Sequence, residues 1–410
     1  MVTSEREIME FIEEYDVKFI RLAFFDLFGN QKNISIMPRE LKQVFAHGLS
    51  FDASAVSGFS QESQFTEEHT SDLFLFPDIS TLTILPWRPQ IGRVVRMYCE
   101  IRYPDGSAYA LDTRSLLNRM RKQVGGKGMQ IMAGTECEFY LFERDENGKP
   151  TTIPYDEARY CDIAPLDKGE NVRREICLDL EEMGIHSVVS IWPTINPASE
   201  NYSEMSESNM LVRTENGQFG TFDFYGQQTF IDPMNPETRK FVWGKAKENY
   251  YRHGIKTFWL DEAEPEVHPQ QPGHLKYYLG NGAQVAQMYP YYYAQTFYDG
   301  LKEEGEEEIV SLTRAAYPGS QKFGAIVWNG DIPSSFRNLK MSMESGLSMG
   351  MCGIPWWNSD IGGFLSGDIE SEYFRELIVR WFQFGVFCPV MRLHGSRLRP
   401  SWYKQRHPGV

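Results

Sequence analysis

Six cysteines in 410 residues are few, and none forms a CxxC pair. Cys99, Cys137, Cys161, Cys177, Cys352 and Cys388 are irregularly spaced, so a zinc site is unsupported and a disulfide framework is not expected. No window approaches 18 uninterrupted apolar residues, so no membrane span is expected. Positive charge is also scarce: 41 Lys and Arg stand against 56 Asp and Glu, a formal net charge of −15. Binding a nucleic-acid backbone needs clustered Lys and Arg, so no nucleic-acid partner is expected. Acidic residues interrupt the first apolar stretch, residues 1–11, so no signal peptide is expected and the cytoplasm is the default location. There is no Gly/Ser or Pro linker and no internal repeat.

What is present is ordinary globular material, 41% hydrophobic and 24% charged. That length fits two or three domains, or one large barrel with additions. Aromatics reach 14% and concentrate after residue 190. They suit either a large core or stacking against flat, hydroxylated ligands such as sugars. The run Glu303, Glu304, Glu306, Glu307 and Glu308 reads as an exposed helix face.

Residues 5–15 have helical spacing. Residues 17–28 read as a strand, turning at Gly29-Asn30 into a second strand. Residues 38–47 read as a short helix opened by Pro38, and 93–102 as a strand before the Pro104-Asp105-Gly106 turn. A helix over 112–123 with Asp112 as N-cap, a strand over 130–142 and a helix over 167–183 follow. In the last, Val172, Ile176, Leu180 and Met183 are helically spaced, and Gly184 suits the C-terminal stop.

The texture changes after Gly184. Six apolar runs end in polar or charged residues: SVVSIWP, IKTFWLDEAEP, EEIVSLTRAAYPG, AIVWNGD, MCGIPWWNSD and VFCPVMRLHG. Helices are expected between them at 236–253, 289–303, 333–347 and 370–384. Successive β-α units imply a parallel sheet closing toward a barrel, with reactive side chains at the strand C-termini. The expected fold class is α/β, a small, mostly β N-terminal unit and then a barrel; family resemblance implies that these are a β-grasp-like α+β domain and a partial (β/α)8 barrel. The expected domains are 1–105, 106–185 and 186–400, with a 401–410 tail.

In GTECEFYLF, Glu136 and Glu138 lie two apart on one strand and share a face. A divalent-metal site and a solvent-facing strand edge both fit that spacing. Residues from about 17 to 185 resemble glutamine synthetase, through VKFIRLAFFDLFGNQKN, GLSFDASAVSGF, SDLFLFPDIS, LPWRPQIGRVVRMYCEI, PDGSAYALDTR and GTECEFYLF. The resemblance implies a β-grasp domain and the start of that family's catalytic domain. It also implies that Glu136 and Glu138 are metal ligands and that Asp52 matches an ammonium-site aspartate, although Ala53 departs from the usual Gly. Mg or Mn and ATP are implied only if this part is functional. The family's later histidine-rich stretch, further glutamates and arginines are missing, so no ligase activity is expected.

WLDEAEPE sets Asp261 at one strand end, and WNGDIPSSF sets Asp331 at another. Two carboxylates about 5–5.5 Å apart suit a retaining glycosidase; a single Asp after a strand also suits a helix N-cap. The acidic cluster of Asp261 with Glu262, Glu264 and Glu266 is more than capping requires. Residues from about 184 to 400 resemble glycoside hydrolase family 31, especially its α-xylosidase-like members. The motifs are SIWPTINP, FDFYGQQTFIDPMNPETRKFVW, GIKTFWLDEAEPE, RAAYPGSQKFGAIVWNGD, WWNSDIGGF and MRLHG. The resemblance implies Asp261 as nucleophile and Asp331 as acid/base; the latter role needs a raised pKa, which burial against Trp328 and nearby negative charge would supply. It implies substrate contacts from Arg314, Asp360 and His394, and pocket walls from Trp192, Trp259 and Trp328, which core packing also explains.

No cofactor is implied for this part. The match begins near the family's third barrel strand and stops after the eighth, so the barrel is expected to lack its first two strands and the C-terminal sandwich. LEEMGIH, where the two resemblances meet, is the expected join. Three readings follow: a truncation-impaired retaining α-glycosidase, an incomplete glutamate-ammonia ligase, and a non-catalytic product associating through exposed edges. The expected partner is a small-molecule or oligosaccharide substrate, with a homo-oligomer compatible.

Overall fold

The computed structural model describes residues 4–56, 58–59, 72–86, 92–129, 133–135, 139, 141–156, 167–223, 227–265 and 272–396. Glu136, Glu138, Glu266 and the 401–410 tail lie outside the described residues. The chain divides into two compact units, Met1–Phe139 and Tyr140–Val410.

The first unit is built on six strands: β1 (Val17–Phe25), β2 (Gln31–Ile36), β3 (Leu49–Asp52), β4 (Asp72–Pro77), β5 (Thr83–Ile84) and β6 (Arg93–Arg102). The sheet order is β2-β1-β6-β4-β3, with β5 pairing β6. The central β1–β6 pair is parallel and its neighbours are antiparallel. The β1–β2 turn is tied by Asp26, whose Oδ1 accepts from the backbone N–H of Phe28 at 2.9 Å and of Asn30 at 2.8 Å. Helices α1 (Glu5–Glu14) and α2 (Leu41–His47) cover the sheet. Ile8, Ile20, Leu22, Leu41, Leu73 and Val95 form its centre, all 0% exposed. Helix α3 (Thr113–Gly125) is capped by Asp112, which accepts from the N–H of Arg114 and Ser115, but Leu116, Leu117 and Met120 on it are exposed.

The second unit opens with a hairpin, β7 (Phe142–Arg144) and β8 (Pro150–Pro154), and helix α4 (Glu170–Glu182). Helical spacing alone would bury the α4 stripe, yet Val172 and Ile176 are exposed. Then come β9 (Val188–Ile191), β10 (Thr257–Leu260), β11 (Ser311–Thr313), β12 (Ala325–Trp328) and β13 (Trp357–Asn358). They form one parallel sheet in chain order, β9-β10-β11-β12-β13. Five of the six expected runs therefore pair as strands. The sixth contributes an isolated parallel bridge, Asp360 to Arg392.

The longest helices between these runs are α5 (Pro236–Asn249), α6 (Tyr289–Glu303), α7 (Phe336–Met351) and α8 (Glu372–Gly385). Asn235, Ser335 and Ser371 cap α5, α7 and α8 by accepting backbone N–H groups, the usual way to satisfy a helix start. On α6, Tyr289, Tyr293, Phe297 and Leu301 recur every four residues and are buried against Phe258 and Leu260 of β10. The other face of β10 carries Thr257 and Trp259, which are only partly buried. The same asymmetry marks edge strand β9, where Val188 is 55% exposed. The sheet is thus covered on its helical side and open on the side a closed barrel would fill.

The acidic run expected on a helix face lies mostly past the end of α6. Glu304 and Glu306 there pair with Lys247 and Lys256, the latter at 2.7 Å.

Candidate active site

Parallel strands bring their C-terminal ends to one side of a sheet, so the residue after each strand faces a common cleft. Trp192 follows β9, Asp261 follows β10, Arg314 follows β11, Asp331 lies three residues past β12, and Asp360 two past β13. The predicted residues of the second unit therefore gather at one sheet edge.

Asp261 is held by three groups. Its Oδ2 accepts from Trp192 Nε1 at 3.1 Å. Its Oδ1 accepts from the backbone N–H of Glu262 at 2.9 Å and lies 3.6 Å from Arg314 Nη1. Glu262 is 4% exposed and stands at φ +51°; its Oε1 pairs with Arg314 Nη1. Glu264 Oε1 lies 2.8 Å from Arg314 Nε.

Arg314 is the electrostatic centre of this cluster. Burial pulls its pKa down, but Glu264, Glu262, Asp261 and Asp331 outweigh that and push it well above its ordinary value. The guanidinium is a fixed positive charge among four acids, which is what lets them share one cleft. Asp331 is exposed, while Trp328 is 1% exposed. The burial of Asp331 against Trp328 expected from the sequence is therefore not observed.

A second charged pair closes the far side. Asp360 is 0% exposed, and its Oδ1 accepts from Arg392 Nη1 at 2.9 Å. The Arg392 guanidinium lies over both Trp259 and Trp328, 4.7 and 5.3 Å from the ring centroids. These rings meet edge-on at 5.6 Å. His394 sits 5.8 Å from the Trp259 ring and stacks on Phe364 at 5.1 Å. Trp259 Nε1, Trp328 Nε1 and Arg392 Nη2 are buried donors with no hydrogen-bond partner among the described residues. Trp328 is packed, as the core reading expects, while Trp259 is partly buried.

Arg392 was not singled out by sequence, although its signal was available. It lies two residues before His394 in MRLHG, and alternation gives both the same face. Asp52 belongs to the first unit, where it is exposed and accepts from the backbone N–H of Ser54 at 2.9 Å. Among the described residues no group of three or more His, Cys, Asp or Glu is arranged to hold a metal ion. No helix there is long and apolar enough to cross a membrane.

Comparison with known proteins finds two families in the chain, meeting beyond the boundary between the two compact units. Residues 154–407 match the glycosyl hydrolases family 31 TIM-barrel domain. Residues 16–104 match the glutamine synthetase β-grasp domain and 110–194 the glutamine synthetase catalytic domain. The two families overlap over 154–194, which contains LEEMGIH. A family 31 glucosidase named ORF2 from Pseudescherichia vulneris is 46% identical over 224 residues, 55% of this chain and 42% of that protein. A glutamine synthetase from Clostridium saccharobutylicum is 41% identical over 181 residues, 44% of this chain and 40% of that protein.

Among solved structures, a family 31 α-xylosidase from a soil metagenome, complexed with xylose, is 50% identical with a TM-score of 0.53. It covers 56% of this chain, which spans 34% of it. A xylosidase from Aspergillus niger is 30% identical with a TM-score of 0.50, at 56% and 36% coverage. The chain spans less than half the length of each of these relatives.

Proposed function

We propose, for a chain that belongs to glycosyl hydrolase family 31 through residues 154–407, that its second unit is the core of a retaining α-glycosidase acting on α-xylosides or α-glucosides. One observation carries the reading: Asp261 is oriented by Trp192, the Glu262 N–H and Arg314 at a strand end, and Asp331 is close enough to influence the same arginine.

Asp261 attacks the anomeric carbon as Asp331 protonates the leaving oxygen. Water then cleaves the glycosyl ester with Asp331 as base, and the α configuration is retained. Donors on both oxygens of Asp261 fix its approach and stabilise it again as it leaves. Asp331 is exposed, so the desolvation that tunes a general acid has to come from bound substrate. Trp259, Asp360, Arg392 and His394 supply an aromatic wall and polar groups for sugar hydroxyls. The steps use no metal or organic cofactor. The barrel lacks its first two strands in this reading, and the exposed Val188 on edge strand β9 supports that.

The test is hydrolysis of aryl α-xylosides and α-glucosides by the full chain. Asp261→Ala abolishes it; hydrolysis unchanged by that substitution refutes the assignment.

A second reading, a product that associates without turnover, is favoured by uncovered apolar side chains on and beside α7 and α8. Met351, Phe387 and Leu347 are 89%, 88% and 74% exposed, and such patches drive association. Light scattering that finds no discrete species, together with no turnover of either glycoside, selects it.

A further inference from the structure

We propose that Glu262 is a positioning residue whose carboxylate, paired with Arg314, holds a strained backbone turn that presents its own N–H to Asp261. The inference rests on the reading of Asp261 as the nucleophile.

Glu262 stands at φ +51°, in left-handed backbone that a non-glycine residue with an unbranched charged side chain adopts rarely. In this conformation its N–H reaches Asp261 Oδ1 at 2.9 Å. A residue kept in a sparsely populated conformation needs surroundings that over-determine it. Here those surroundings are visible. The Glu262 side chain is buried, and its Oε1 pairs with Arg314 Nη1. Arg314 is in turn anchored through its backbone N–H to the carbonyl of Leu260 at 3.2 Å, the residue just before Asp261.

The linkage is a closed loop: Leu260, Arg314, the Glu262 carboxylate, the Glu262 N–H and Asp261. The same Nη1 lies 3.6 Å from Asp261 Oδ1, so the turn and the arginine converge on one oxygen. The other oxygen is left to Trp192. Removing the Glu262 carboxylate opens the loop and lets the turn relax, unless the backbone conformation costs nothing. Glycine alone meets that condition fully.

The experiment uses the full chain with Glu262→Ala, Glu262→Gly and Glu262→Gln. The readouts are the indole ¹H–¹⁵N resonance of Trp192, assigned with Trp192→Phe, and kcat and KM on an aryl α-xyloside. Alanine and glycine both lack the carboxylate and differ only in the Cβ. The alanine variant is expected to move the indole resonance toward its unbonded position and lower kcat about tenfold or more with little change in KM. Glycine is expected to restore the resonance and recover most of kcat, and glutamine to retain the bonded position. Glu262→Ser against Glu262→Asn repeats the contrast if alanine does not fold, because Asn enters left-handed backbone readily.

Identical resonances in the alanine and glycine variants, or an alanine variant with an unmoved resonance, overturn the proposal. An indole that moves as expected in a chain without glycosidase turnover leaves the positioning role standing and removes the glycosidase reading. Turnover that depends on Asp261, with an unmoved indole, does the reverse.

Discussion

Trp192 Nε1 donates to Asp261 Oδ2 at 3.1 Å across neighbouring strand ends, joining residues 69 positions apart. Trp192 follows β9 and Asp261 follows β10, and the parallel register pairs Ile191 with Leu260 just before them. The bond therefore comes from the strand alignment, and it depends on β9 keeping its place at an edge with no second neighbour among the described strands. Trp192→Phe keeps an aromatic, if smaller, ring and removes the donor. A hydrogen bond to a charged group contributes about 1.5–3 kcal/mol, so turnover is expected to fall roughly ten- to hundredfold. Steady-state kinetics on an aryl α-glycoside, with near-ultraviolet circular dichroism to verify packing, checks this.

The buried pair of Asp360 and Arg392 ties the last chain segment to the sheet. Asp360→Asn leaves the Arg392 guanidinium buried over two tryptophans without its counter-charge. Breaking such a pair from one side costs about 3–5 kcal/mol. Urea unfolding followed by tryptophan emission is expected to show that loss. The probe reports mainly the second unit, because every tryptophan except Trp87 lies beyond residue 190. A loss below about 1 kcal/mol would mean that Arg392 finds water when Asp360 is neutralised.

Gly300 on α6 faces Trp243 of α5 so tightly that a Cβ would come within 2.1 Å of the indole Cδ2. The contact is between side chain and backbone deep in the helical layer, where Trp243 is 7% exposed. Gly300→Ala gains helix propensity but forces the two helices apart. Overpacking costs about 1–3 kcal/mol or more, which exceeds the roughly 1 kcal/mol that alanine gains over glycine in a helix. A net destabilisation is expected, measured as a lower urea midpoint with an unchanged m-value.

These contacts also mark what the sequence could and could not reveal. The strand-end places of Asp261 and Asp360 were legible because charged residues close their apolar runs and parallel strands send those ends to one side, while Arg314 came from the family resemblance alone. Helices 289–303 and 370–384 were legible as the helix-compatible stretches between strand-like runs. The fate of Val172 and Ile176 was not, since periodicity tells which face is apolar and says nothing of whether another element covers it. The exposure of Asp331 was hidden for the same reason. Burial of a strand-end residue depends on the whole circumference of a barrel, and that circumference is not written in the neighbouring motif. Glu262 was noticed as one of several acids, but its left-handed backbone and its grip on Arg314 arise from the turn after β10, which residue type alone does not encode.

Asp232 gives the clearest pH signature. It is 3% exposed, and its carboxylate accepts from the backbone N–H of Met234 at 3.1 Å and of Tyr278 at 2.5 Å, pinning the loop before α5 to the 275–281 hairpin. Burial pushes the carboxyl up to about 6 from an ordinary 3.8, against the downward pull of those N–H groups and of Arg239. Between these two values the folded chain keeps a proton that the unfolded chain has lost. Stability from this group is therefore greatest below pH 3.8 and falls as pH rises through about 6. A shift of about two units corresponds to roughly 3 kcal/mol. Asp232→Asn cannot ionise, so wild-type stability is expected to fall by that amount relative to the variant between about pH 4 and pH 7. Paired urea titrations at the two pH values measure the difference directly and cancel the titration of every other group. A difference that stays constant, or one that grows in favour of the wild type as pH rises, would mean that the backbone donors outweigh desolvation and that Asp232 is ionised in the fold throughout.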